Sequence, residues 1–285
     1  METVETQGVA IPRLGLGTFR MPGDAARSVV ESGLALGFRH LDTAAMYDNE
    51  AAVGTALATS GLKRADLFVT TKVWHDKLAP DALRRSFDAS LGKLRLDHVD
   101  LFLIHWPSAN MKMDATLEAI TKLKEEGLAR AIGVCNFNMP MIRRAVEDIG
   151  APIAVHQVEY HPFLSQTPML DYLRGKGIPM IAYAPLAQGR AARDPVLAGI
   201  GEKHRATAAQ IAIAWLLDQE RVIAIPKAAR PSSQRANLDA LNIRLDDQDR
   251  AAIAALPKNL RYVDPPFAPT GRLQRPETQV RQSTG

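Results

Sequence analysis

Four side chains of complementary chemistry are Asp42, Tyr47, Lys72 and His105. A phenol, an ammonium, a carboxylate and an imidazole together suit a proton-donating site. Free tyrosine has a pKa near 10 and is a slow acid at neutral pH. A nearby cation favours the phenolate, so Lys72 beside Tyr47 is expected to make that hydroxyl a better acid. Asp42 would hold Lys72 charged and oriented, and His105 would bond the same substrate oxygen as Tyr47. A carbonyl polarised by Tyr47 and His105 becomes a hydride acceptor, with Tyr47 protonating the developing alkoxide. Each residue alone carries little weight, because a buried Lys–Asp pair is often structural and a lone His often a satisfied core residue. What counts is whether one scaffold brings them together.

That scaffold is legible in the alternation of patterns. Strand-like runs at 13–17, 38–41, 67–71, 99–104, 131–134, 154–158, 179–183 and 222–225 alternate with helical patterns at 24–36, 49–58, 80–94, 114–126, 139–148, 167–174 and 207–218. The first helix is expected to take Asp24 as its cap, and several end at a glycine. Runs such as Leu101-Phe102-Leu103-Ile104 are apolar on both parities, as in a parallel strand buried on both faces. Eight βα units predict a single (β/α)₈ barrel spanning residues 1–285, with an N-terminal extension and a C-terminal tail. Barrel active sites sit at the C-terminal strand ends. Asp42, Lys72 and His105 follow the second, third and fourth strands, and Tyr47 lies in the loop after Asp42.

The chain has 285 residues, 46% hydrophobic and 23% charged, the composition of a globular protein. No run approaches the ~18 apolar residues of a membrane span. The acidic N-terminus lacks an apolar signal region. With 35 basic and 31 acidic residues the net charge is +4 and its signs are interspersed, which suits a small anionic ligand better than a nucleic acid. Cys135 is the only cysteine, so no internal disulfide or Cys cluster is available and a reducing cytoplasm is expected. No metal site is expected either: the His-x-His pair of a metal-dependent barrel hydrolase is missing after the first strand. Gly15-Leu16-Gly17 is followed by Arg20 where a dinucleotide fingerprint needs its third glycine, so a Rossmann site is not supported.

The segments 37–50 (GFRHLDTAAMYDNE), 71–74 (TKVW) and 103–107 (LIHWP) closely resemble the aldo-keto reductase family. The resemblance continues through 131–137 (AIGVCNF), 157–162 (QVEYHP), 182–186 (AYAPL) and 225–227 (IPK). It spans roughly residues 10–267, and the short segments after His105 and Tyr183 resemble compact bacterial members that reduce diketo-gluconate and methylglyoxal. The resemblance implies NADP(H) bound across the barrel mouth and a small-molecule carbonyl substrate, in a protein of a mostly monomeric family. By matched position, Gly17 and Thr18 would flank the nicotinamide ribose with Asp42. Asn136 and Gln157 would bond the carboxamide, and Tyr183 would stack on the ring. Pro185, Leu186, Gln188 and Gly189 would follow the pyrophosphate. Lys227, Ala228 and Arg230 match the stretch that holds the 2′-phosphate, and Asn237 an adenine contact; Arg and Lys are the residue types that phosphate requires. Cys135, Ser233 and Ala236 depart from the family's usual serine, arginine and acidic residue.

Phe19, Met46, Trp74 and Trp106 flank the catalytic positions and are expected, with His105, to wall the substrate pocket. The alternative function is a nucleotide-binding regulatory barrel with negligible turnover, which would have no need of Lys72 beside Tyr47. For the proline-rich segment 262–267 two readings stand open, a frayed end or a cover over the barrel mouth, and disorder is expected for the last ~10 residues.

Overall fold

The structure, a computed structural model, describes residues 2–271. An antiparallel hairpin of β1 (Thr3–Thr6) and β2 (Val9–Pro12) precedes the alternating units. Then come β3 (Leu16–Gly17), α1 (Gly23–Leu36), β4 (His40–Asp42), α2 (Glu50–Thr59), β5 (Phe68–Val73), α3 (Pro80–Leu94), β6 (Val99–Ile104) and α4 (Met113–Glu125). β7 (Ala129–Cys135), α5 (Met139–Arg143), β8 (Ile153–Glu159), α6 (Thr167–Gly175) and β9 (Met180–Tyr183) follow. α7 (Pro195–His204), α8 (Ala208–Leu217), β10 (Val222–Ala224), α9 (Pro231–Asp239) and α10 (Asp247–Ala254) complete the order.

Strands β3 to β10 pair in parallel in sequence order. The ladder returns on itself where Leu14 bridges Ala224 and Gly15 and Gly17 donate to the carbonyls of Ala224 and Pro226. This is the expected (β/α)₈ barrel. A side chain at Gly17 would stand 2.9 Å from the Ile225 carbonyl oxygen, so this close approach of first and last strands requires glycine.

Strand parity divides the interior. Phe102, Ile104 and Val69 face the helices, in one large apolar layer. Leu101, Leu103, Val155, Ile181 and Ile223 fill the barrel, where they meet Val4, Val9 and Ile11 of the hairpin. Thr6 ties the hairpin to the barrel floor through the Ala154 carbonyl (2.9 Å). Gly37, at φ +112°, ends α1 by donating back to the Gly33 and Leu34 carbonyls.

Two local expectations are corrected. Asp24 does not cap α1: the helix begins at Gly23 after Pro22, which makes no side-chain cap, and Asp24 lies in the first turn, where a carboxylate favours the helix dipole. The helix expected over 139–148 is α-helical only through Arg143 and continues as a wider π-type turn over Arg144–Asp148. The disorder expected for the last ~10 residues lies outside the described residues.

Candidate active site

Inward parity carries Asp42 on β4, Lys72 on β5, Gln157 on β8 and Tyr183 on β9 to the C-terminal end of the barrel, and His105 directly follows β6. Lys72 is the hub. Its Nζ donates to Asp42 Oδ1 at 2.5 Å, to the Thr43 carbonyl at 2.9 Å and to the Tyr47 hydroxyl at 3.4 Å. Asp42 and Lys72 are 2% and 0% exposed, so this ion pair is withdrawn from water. The second Asp42 oxygen accepts from Gln157 Nε2 at 2.9 Å.

Tyr47 ends a short 3₁₀ turn (Ala45–Tyr47) that carries it back over Lys72. Asn49 staples that turn to the barrel: its amide donates to the carbonyls of Thr18 and Met21 and its oxygen accepts from Thr43 Oγ1. Thr18 bonds the Asp42 carbonyl through both its amide and its hydroxyl. Thr43 and Asn49 were not singled out in the sequence. Asn49 lies two residues beyond Tyr47, but only loop geometry reveals it as the staple.

The ring of His105 meets Tyr47 edge-on at 5.5 Å and Trp74 at 5.0 Å. Its Nδ1 is buried with no hydrogen-bond partner among the described residues. Burial, followed by the Lys72 and His75 charges, drives this imidazole well below its ordinary pKa, so it is neutral. Burial lowers and the Asp42 charge raises the Lys72 ammonium, and its partners together win: it is held firmly charged. The expectation for Tyr47 is corrected. Burial of the phenol outweighs the pull of Lys72, and its pKa is pushed up to about 12.

The residues matched to a nucleotide fall in two groups. Near the catalytic four, Asn136 (φ +61°) donates to the His105 carbonyl and accepts from the Tyr183 hydroxyl at 2.8 Å. Past β10, Lys227 is exposed and donates to the Arg20 carbonyl, next to the Gly17–Thr18 turn. Ala228 is buried, its carbonyl held by Gln234, and exposed Arg230 stands at the start of α9. Buried Asn237 finds no partner for its Nδ2 among the described residues. Between the groups runs the loop of Pro185, Leu186, Gln188 and Gly189, where Ala184, Ala187, Gln188 and Gly189 all take positive φ. Such clustered strain concentrates at ligand-binding turns. A cavity of about 290 Å³ beside that loop is lined by Arg190, Arg193, Asp194, Pro195 and Tyr262.

Trp106 is buried and Trp74 half-buried, whereas Phe19 and Met46 are exposed on the rim, Phe19 packed 5.0 Å from Tyr47. The segment 262–267 folds over the mouth: Phe267 stands edge-on to Trp74 and Trp106 at 5.9 and 5.7 Å and stacks on His75 at 4.1 Å. Of the two readings of this segment, the cover is the one observed.

A barrel with an Asp, Tyr, Lys and His gathered at one mouth is the framework of a carbonyl-reducing oxidoreductase. The aldo/keto reductase family model matches residues 13–258, and the chain belongs to that family, whose enzymes use nicotinamide cofactors. It is 44% identical over 260 residues to the methylglyoxal reductase DkgB of Escherichia coli O157:H7, covering 90% of this chain and 97% of that one. It is 39% identical over 255 residues to the glyoxal reductase of Bacillus subtilis strain 168, covering 89% and 92%. A crystal structure of a provisionally assigned 2,5-diketo-D-gluconic acid reductase B superposes with a TM-score of 0.91 at 42% identity, over 97% of each chain. Among the described residues no helix is long and apolar enough to cross a membrane.

Proposed function

We propose that this chain reduces the carbonyl group of small aldehydes and ketones to alcohols with NADPH, Tyr47 serving as the proton donor. The observation that carries this reading is the hub of Lys72, within hydrogen-bond reach of both Asp42 and the Tyr47 hydroxyl.

The residues present fit the cofactor. The Nδ2 of Asn237 is a buried donor with no acceptor among the described residues, which suits an adenine contact. Exposed Lys227 and Arg230 offer the cations a 2′-phosphate requires, and the strained loop of Pro185, Leu186, Gln188 and Gly189 suits the pyrophosphate. Gly17, Thr18, Asn136, Gln157 and Tyr183 would hold the nicotinamide end, and Ala228 the outer end. When bound, the reduced nicotinamide supplies the hydride.

The rest is done by this chain. Tyr47 and neutral His105 each present a donor to the substrate oxygen, which aligns the carbonyl and stabilises the charge that develops on it. Tyr47 then releases its proton to that oxygen. The Lys72 ammonium, 3.4 Å away, stabilises the phenolate left behind, and Asp42 keeps the ammonium aimed. Trp74, Trp106, Phe19 and Met46 wall the pocket. The names of the relatives support methylglyoxal and glyoxal as first substrates to try. The reading extends to a monomer, and to the reducing cytoplasm, which the single, buried Cys135 supports.

The experiment is NADPH oxidation with methylglyoxal, comparing wild type with Tyr47→Phe. Turnover in the wild type that falls about 10²–10⁴-fold in the variant, with NADPH binding retained, is expected of a general acid. Equal rates in both would reject Tyr47, and NADPH binding without turnover in the wild type would favour the regulatory barrel.

A further inference from the structure

Glu159, the last residue of β8, is fully buried, and among the described residues its hydrogen bonds and ion pairs involve none of the catalytic four. Its carboxylate faces the chain that follows α10. Oε1 accepts from the Tyr262 amide at 2.7 Å and Oε2 from the Val263 amide at 2.9 Å. Arg261 lies 3.7 Å from Oε2 and His161 Nε2 lies 3.1 Å from Oε1. One buried carboxylate therefore grips two successive backbone amides, a charge-assisted arrangement stronger than neutral hydrogen bonds.

The gripped segment is a strap. Five residues beyond Tyr262, after Pro265 and Pro266, stands Phe267, whose ring meets Trp74, His75 and Trp106. The prolines restrict the backbone between grip and ring. A turn from the Ala268 amide to the Pro265 carbonyl follows, and Asn138 Nδ2 holds the Thr270 carbonyl at 2.9 Å. Phe267 is thus suspended between two anchors, with 39% of its surface open to solvent.

We propose that Glu159 is a positioning residue for substrate selection: by clamping Tyr262 and Val263 it fixes Phe267 as the outer wall of the substrate pocket, which an aromatic aldehyde contacts and a three-carbon aldehyde does not. The proposal rests on the carbonyl-reductase reading. Glu159 acts through the strap and has no part in proton transfer.

The test joins steady-state kinetics to hydrogen–deuterium exchange. Glu159→Gln replaces one acceptor oxygen by an amide donor. It is expected to raise KM for p-nitrobenzaldehyde about fivefold, the scale of one lost aromatic contact, while kcat with methylglyoxal stays within about twofold. Phe267→Ala should raise the same KM, and the double variant no further than the larger single effect, because both act through one element. In the wild type the Tyr262 and Val263 amides should exchange slowly; in Glu159→Gln they should be released while β5–β7 stay protected, which general destabilisation would not produce. Should Glu159→Gln fail to fold, Asn138→Asp keeps its oxygen for the α5 cap, loses the donor to Thr270, and should give the same aromatic-specific rise. Equal KM changes for both aldehydes, additive effects of Glu159→Gln and Phe267→Ala, or rapid wild-type exchange at 262–263 would overturn the clamp. Wild-type protein inert to both aldehydes would remove the reductase reading instead, and the exchange arm would then decide the strap by itself.

Discussion

Lys72 and Asp42, thirty residues apart in sequence, form an ion pair of 2.5 Å that is almost wholly closed to water. In a low-dielectric interior such a pair persists only while both partners remain, since a single buried charge is costly. Lys72→Met is therefore expected to lower stability by about 3–5 kcal/mol besides abolishing turnover. Urea unfolding checks this: the double variant Lys72→Met/Asp42→Leu should recover much of the loss. A double variant as unstable as the sum of the singles would show that the pair is not coupled.

Tyr47 gives a pH prediction. Its phenol is pushed up to about 12 by burial, against the opposing pull of Lys72. In the cofactor-free protein, wild type minus Tyr47→Phe should show no phenolate absorbance step below about pH 10. A raised acid favours the folded state only while neutral. The stability Tyr47 contributes is thus intact below pH 10 and lost as the pH climbs from about 10 to about 12, where the unfolded chain ionises first. A step near neutrality would contradict the burial account.

His105 should be neutral wherever activity is measured. Burial, with the Lys72 and His75 charges, holds it well below its usual range. Imidazole NMR signals followed through titration should show His105 unprotonated at pH 6, where an ordinary histidine is more than half charged. A midpoint near 6.5 would mean that water reaches the ring.

Lys227 and Arg230 are the cations proposed for the 2′-phosphate. Replacing both by alanine should raise KM for NADPH about tenfold or more, the scale of lost charge-assisted bonds, and leave KM for NADH nearly unchanged. Equal changes for the two cofactors would refute that assignment.

Much of this molecule was legible in its sequence, and the boundary of that legibility is physical. The strand Val99–Ile104 and the helix Pro80–Leu94 have the bounds read from their patterns, the strand from apolar residues on both parities. The strands β3 and β10 were legible as the runs 13–17 and 222–225. The helices α7, α9 and α10 went unread although Pro195 after Asp194, Pro231 and the Asp246–Asp249 capping box mark their starts, because each is too short to show an apolar period. Asp42, Tyr47, Lys72 and His105 could be found because strand ends mark one rim. Asn49, Thr43 and Glu159 could not, because their partners are backbone groups that only the folded loops bring near. The acidity of Tyr47 ran opposite to expectation because charge proximity is visible in a motif and desolvation is not.

The bridge from Leu14 to Ala224 has a consequence for how the protein is made. On the ribosome, every strand from β4 onward can pair with its predecessor as it emerges, but β3 must wait more than 200 residues for its second neighbour. Until Pro226 leaves the exit tunnel, the nascent sheet carries two unsatisfied margins, the kind of surface to which holding chaperones and sister chains adhere.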